Sequence, residues 1–142
     1  MGNRSWKWGV EMREILFRGK RLDNGEWVEG FYVHLHDTHK KKESHRIYPE
    51  NAKEDFGVFY LNWFEVDPAT AGQYTGLTDK NGKKIFEGDI IEIRGYVYCC
   101  CWDEGNLEFM LINEKESFGM GYAAFSRMNV IGNVHDNPKC RR

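Results

Sequence analysis

No run of apolar residues in this chain approaches the ~18 that a helix needs to cross a bilayer. The opening residues, MGNRSWKWGVEM, hold neither an apolar core nor a small-residue cleavage site for secretion. A cytoplasmic protein with no membrane contact is therefore expected. Two address-like matches near the start fail. Trp6 stands where myristoylation needs Ser or Thr, and Asn3-Arg4-Ser5 has a glycosylation spacing that a cytosolic chain never presents to the modifying machinery. An excess of one charge is missing too: 20 basic residues face 22 acidic ones, for a formal net charge of -2. No overall field draws the chain to a polyanion, and nucleic-acid binding would need a local patch. The 4 cysteines include the consecutive Cys99, Cys100 and Cys101, with Cys140 far away, which excludes the regular spacing of a secreted disulfide scaffold.

What is present favours one folded unit. The 142 residues are 41% hydrophobic and 15% aromatic, enough to bury about two-thirds of the unfolded surface around a core without metal or disulfide. Strand signals dominate. Residues 14–18 are short and mostly apolar, and the turn-forming Asp23-Asn24-Gly25 precedes a run at 27–35 dense in aromatic and β-branched residues, which predicts a hairpin. The stretch 36–46, HDTHKKKESHR, has nothing to bury and is read as a solvated loop. Residues 58–66 predict another strand, stopped by Asp67-Pro68. Asn81-Gly82 and Gly88-Asp89 mark tight turns, and 90–93, 96–102 and 107–112 read as three strands of a meander. One short helical turn near Ala123 and a last strand at 129–135 follow. The expected fold class is all-β with little helix, in short antiparallel strands.

Three stretches then bring a family into view. MREILFRGKRLDNGEWVEGFYV at 12–33, VDPATAGQYTGLTDKNGKKIFEGDIIEI at 66–93 and VIGNVHDNP at 130–138 arrive in order and together resemble the YopX-like proteins of phages and prophages. The resemblance implies a small all-β domain carried by a mobile element, and no chemistry. Residues 1–11 look like an N-terminal extension, 12–138 like a single domain, and 139–142 like a C-terminal tail. Within the domain, a lobe at about 14–66 is expected to pack on a lobe at about 77–134 that resembles a small SH3-like barrel.

Each candidate site also has a plainer structural role. Cys99 and Cys101 share one face of a strand and could meet Cys140 and His135 around a metal, but an apolar strand is where free Cys packs as a small hydrophobe, so no metal is expected. No cofactor is expected either: residues 119–124, GMGYAA, match the bare dinucleotide pattern without its strand, helix and acidic partner. Gly76 with Gly82-Lys83 has the wrong spacing for a phosphate loop. Read as a calcium loop from Asp79, the chain has Lys84 where Gly is required. No nucleophile, base and orienting group stand at suggestive spacing, so no catalytic residue is assigned.

The candidate binding surface is the turn-borne set Gln73, Tyr74, Thr75, Asp79, Glu87 and Asp89, joined by Arg18 and Trp27 as the Arg and aromatic anchors that interfaces favour. The leading expectation is a non-enzymatic accessory protein that binds a protein partner or assembles with itself as a homo-oligomer. The alternative is a small-barrel nucleic-acid binder, motivated by the aromatic content and by Lys40, Lys41 and Lys42, which His34, His36, His39 and His45 flank in a cluster suited to phosphates first and to a metal second. An enzyme with an activity hidden from a linear reading is the third class.

Overall fold

The computed structural model describes residues 13–50, 62–123 and 127–138 in full. Outside those ranges it describes only the backbone pairing of four short strands. In chain order the strands are β1 (Trp6–Lys7), β2 (Val10–Glu11), β3 (Phe17–Lys20), β4 (Trp27–Asp37) and β5 (Lys42–Tyr48). Next come β6 (Lys53–Asp55), β7 (Val58–Tyr60), β8 (Phe64–Glu65), β9 (Gly72–Thr78) and β10 (Lys84–Phe86). The last five are β11 (Asp89–Ile93), β12 (Tyr96–Asp103), β13 (Glu108–Ile112), β14 (Ser117–Gly119) and β15 (Asn129–Asn133). A 3-10 turn at Pro68–Thr70 and a single helical turn at Met120–Ala123 are the helical elements of the described residues. The fold is all-β, as expected.

Six strands form one sheet in the order β10-β9-β3-β4-β5-β8, and five form a second in the order β14-β13-β12-β11-β15. The pairs β1-β2 and β6-β7 stand apart, and every pairing is antiparallel. The predicted first hairpin is β3 and β4, in the register Phe17↔Gly30 to Lys20↔Trp27. Its turn is built as the sequence suggests: Gly25 takes φ 72, and the Asn24 side chain accepts the Glu26 N–H at 2.9 Å. The predicted three-strand meander is β11 to β13, its first turn at Arg94 and Gly95, both with positive φ, and β14 adds a fourth strand that the sequence reading did not include.

β4 changes partner midway. Residues up to Gly30 pair with β3, and from Phe31 onward they pair with β5. A Cβ on Gly30 would lie 2.1 Å from the Tyr48 carbonyl oxygen, so only glycine lets the two strands close here.

The main core lies under the second sheet and draws on both. Ile91, Tyr98, Cys100 and Leu111 come from the meander, Met120 and Ala123 from the helical turn, Met128 from the segment before β15, and Ile85 from β10 of the first sheet. Each fully buried Leu or Ile there contributes about 1.5–3 kcal/mol. A smaller cluster of Leu16, Tyr74 and Phe86 sits under β3, β9 and β10.

Four expectations need correction. The second lobe is not a closed SH3-like barrel: β14 and β15 end the sheet without bonding to each other. The helical turn, Met128 and Ile85 fill the core beside the meander strands, and β10, which carries Ile85, pairs with β9 in the first sheet. Residues 72–86, partly grouped with the second lobe by sequence, hydrogen-bond into the first sheet through β9 and β3. The stretch 36–46 is not a loop. It is the outer half of the β4–β5 hairpin, paired from Phe31↔Tyr48 to Asp37↔Lys42. With polar side chains on both faces it carries no hydrophobic alternation to betray a strand, and the backbone pairing runs its whole length. The predicted strand at 58–66 is two short ones, β7 and β8, with different partners.

Candidate functional site

The densest polar construction in the fold is the turn between β10 and β11. Gly88 takes φ 91 there, a conformation that favours glycine. The Asp89 carboxylate reaches back to accept the Phe86 N–H at 2.8 Å. Backbone bonds then pin the turn from three sides: Glu87 N–H donates to Gln73 O, Gly88 N–H to Cys100 O, and Val134 N–H to Gly88 O. Strands of both sheets meet at these four residues.

Arg18 of β3 enters this joint. Its Nη2 lies 2.7 Å from Asp89 Oδ1, with the two residues only 8% and 1% exposed. The guanidinium is held between the Trp27 ring, 4.7 Å from its centroid, and the Phe86 ring, 5.0 Å away. The close approach of opposite charges holds the pair, while Arg18 Nε finds no hydrogen-bond partner among the described residues. Burial pushes the Asp89 carboxyl up; the Arg18 charge and the Phe86 N–H pull it back only in part, and it stays above the ordinary carboxylate range.

The Trp27 ring roofs a second, more exposed pair. Its indole N–H donates to Asp136 Oδ2 at 2.9 Å, Asn133 Nδ2 donates to the same oxygen at 2.9 Å, and the Lys20 ammonium pairs with Oδ1. These donors, Lys20 first, hold Asp136 well below the usual carboxylate range against the opposing cost of partial burial. Asn133 and Asp136 belong to the closing NVHDN stretch and are not among the sequence-predicted site residues; a turn read as a terminator gives no sign of a partner more than a hundred positions away.

The candidate surface divides accordingly. Arg18, Tyr74, Asp79 and Asp89 are buried, while Trp27, Gln73, Thr75 and Glu87 are half-buried. Tyr74 is core, its ring 5.6 Å from that of Phe86. Thr75 donates its hydroxyl to Ile85 O and accepts the Leu77 N–H. Asp79 holds its own turn, accepting from the Asn81 and Lys83 N–H groups through Oδ1, and ties it to β15 by accepting the Val130 N–H at 3.0 Å. Burial would raise the Asp79 carboxyl, but those three donors outweigh it and hold it below the ordinary value. These residues are held together by structure-forming bonds.

Two surfaces remain open to a partner. The outer half of the β4–β5 hairpin presents Tyr32, His34, His36, Glu43 and His45 on one face and Val33, Leu35, Asp37, Lys42, Ser44 and Arg46 on the other, since directly opposed residues share a side. The second face, with Lys40, Trp63 and Glu65, borders an open groove of about 460 Å³ in which Arg46 stacks 3.7 Å from the Trp63 ring centroid. Lys41 occupies the turn with φ 49. The other surface is the outer face of the second sheet, where the register lines up Val97, Cys99 and Cys101 of β12 with Met110 and Ile112 of β13. Val97 is 43% exposed and the other four are half-buried. Of the cysteine run only Cys100 points into the core, its sulfur 3.5 Å from Met120 Sδ and its thiol pushed well up by burial. Cys140, named as a partner for that run, lies outside the described residues.

No helix among the described residues is long and apolar enough to cross a membrane. No curated protein matches the chain. A solved structure, protein EF1440 from Enterococcus faecalis, superposes with a TM-score of 0.56 over 90% of this chain and 98% of its own, at 23% identity, and at that distance it speaks for the fold alone. The family model described as YopX protein matches residues 16–140, a span that takes in both sheets, the Arg18–Asp89 joint and the hairpin. By that match, and by the three ordered sequence stretches that build the joint, the chain belongs to the YopX protein family.

Proposed function

We propose that this protein is a non-enzymatic accessory protein of a phage or prophage that works in the host cytoplasm through protein contacts, first of all with a second copy of itself. The observation that carries this reading is the outer face of the second sheet. Antiparallel sheets ordinarily turn alternate, polar residues to water. Here β12 is apolar on both sides: Tyr98 and Cys100 fill the core, and Val97, Cys99 and Cys101 lie outward beside Met110 and Ile112. An apolar stripe across β12 and β13, bordered on the same face by Glu92 beside Val97 and by the Asp103–Glu108 pair beyond Cys101 and Met110, suits a self-complementary interface, which a two-fold dimer supplies. Sedimentation of the full chain at increasing concentration tests it. A dimer is expected, with Met110→Lys and Val97→Lys shifting the equilibrium to monomer while the melting temperature stays close to wild type. A chain that is monomeric at high micromolar concentration, with Met110→Lys sedimenting identically, overturns self-association.

A second reading rests on the groove of Lys40, Lys42, Arg46 and Trp63, where cations flank an aromatic ring. That combination suits a single-stranded nucleic acid, with phosphates on the cations and a base on the indole. It predicts binding that falls steeply with salt and is lost when Lys40, Lys41 and Lys42 become Glu. The absence of any gel shift at low salt removes it.

A further inference from the structure

On the opposite face of the same hairpin, the alternation of β4 and β5 gathers nitrogen and oxygen donors that sequence spacing scatters over twelve residues. His34 and His45 are direct cross-strand neighbours, and so, one pair further out, are His36 and Glu43. Residues two apart share a face, so all four stand together beside Tyr32. The His34 and His45 rings stack with centroids 4.2 Å apart. Glu43 Oε2 lies 3.5 Å from His34 Nε2 and 3.9 Å from His45 Nε2. One donor atom from each of the three residues lies within 4.8 Å of the others.

We propose that His34, Glu43 and His45 form a binding site for a divalent transition-metal ion of the zinc class. Two imidazoles and one carboxylate are the donor set such ions take. Bonds of about 2.1 Å in tetrahedral geometry place neighbouring donors about 3.4 Å apart, close to the two Glu43 separations. The remaining adjustment falls on His34, whose side chain is 48% exposed and can turn without moving the core. His45 is oriented already: the Tyr32 hydroxyl bonds its Nδ1, which leaves Nε2 as the coordinating nitrogen facing Glu43. His36 Nδ1, 3.9 Å from Glu43 Oε1, stands within reach of the fourth position. Tyr32 is thus a positioning residue and the other three are ligands.

The test uses the full chain stripped with chelator and titrated calorimetrically with zinc chloride, with cobalt chloride as a spectroscopic probe. One zinc ion per chain is expected. His34→Gln and Glu43→Gln should each weaken binding by at least 10-fold, Tyr32→Phe by about 10-fold, and His39→Gln, in the same hairpin's turn, should not. Thermal melts without metal should superpose for the wild type, His34→Gln and Glu43→Gln, since both side chains are exposed. The tyrosine change should alter affinity and leave the metal-free melt in place, which a merely structural hydroxyl would not do. The cobalt complex should show nitrogen and oxygen ligation only. Absence of zinc uptake by the wild-type chain, unchanged affinity in His34→Gln and Glu43→Gln, or a thiolate-to-cobalt band that vanishes when the cysteines are replaced would each overturn the site.

Discussion

Charged side chains crowd both the turn at residues 86–89 and the outer β4–β5 hairpin, yet the two regions use them in opposite ways. In the turn, Asp89 and Arg18 are removed from water and closed in by Trp27 and Phe86. In the hairpin, His34, His36, Glu43, Lys40 and Lys42 face solvent on its outer half, residues 31–46, where no residue is buried. The first region can hardly lose a group without leaving a buried charge uncompensated; the second can lose several. Polar residues in this fold therefore join the sheets where they are buried, and are available for binding where they are not.

The sharpest way to break this contrast is to remove half of the buried pair. Asp89→Ala leaves the Arg18 guanidinium desolvated and unpaired, and a loss of about 3–5 kcal/mol in urea unfolding is expected. Replacing both partners by apolar residues, Arg18→Met with Asp89→Leu, should recover most of that loss, because the pair's own desolvation cost disappears with it. If Asp89→Ala unfolds within about 1 kcal/mol of wild type, the joint is not what holds the sheets together. A smaller effect is expected from Gly30→Ala. The added methyl meets the Tyr48 carbonyl at 2.1 Å, so β4 and β5 must separate, at a cost of about 1–3 kcal/mol.

The two aspartates around Trp27 also sharpen the comparison through pH. Asp136 is depressed by its donors, so its contribution is fully present above the ordinary carboxylate pKa and fades as pH falls toward its lowered value. Asp89 is raised. It therefore favours folding most at acid pH and loses that contribution as pH rises from the ordinary value through its raised one. The two act in opposite directions. Because the Asp136 side chain is 42% exposed, Asp136→Asn should cost no more than about 1 kcal/mol at neutral pH. Its deficit should shrink below about pH 4, as melts of both proteins across that range would show.

How much of this was legible depends on the range over which each element is determined. The β3–β4 hairpin and the meander are local: Asn24-Gly25 and Arg94-Gly95 sit where left-handed backbone is needed, between runs of strand residues. The Asp79 turn was legible for the same reason, and its bonds to Asn81 and Lys83 are the self-capping that its position suggested. What could not be read was distant. Arg18 meets Asp89 only because β9 inserts beside β3 and delivers the β10–β11 turn to it. Nothing along the chain pairs those two residues, so four members of the candidate surface were selected for polarity and proved to be interior. The barrel failed similarly, since whether β14 pairs with β15 is a matter of long-range sheet order that no local signal along the chain records. The hairpin was missed for the opposite reason. Its period of two is written in histidine, lysine and glutamate, which a search for hydrophobic alternation does not register.

That last point yields the smallest expected effect and the most direct check on the contrast. If the outer hairpin is held by backbone pairing and not by its side chains, His34→Gln and Glu43→Gln in the metal-free chain should change unfolding free energy by no more than about 0.5 kcal/mol. The double variant should be additive within similar limits unless the His34–Glu43 contact contributes, and an exposed pair of this kind contributes well under about 1 kcal/mol. A loss of about 2 kcal/mol or more from either change would place the hairpin with the buried joint, as a structural polar cluster. Near-neutral values leave its histidines without a structural task, so that their convergence on one carboxylate has to be explained by what binds there.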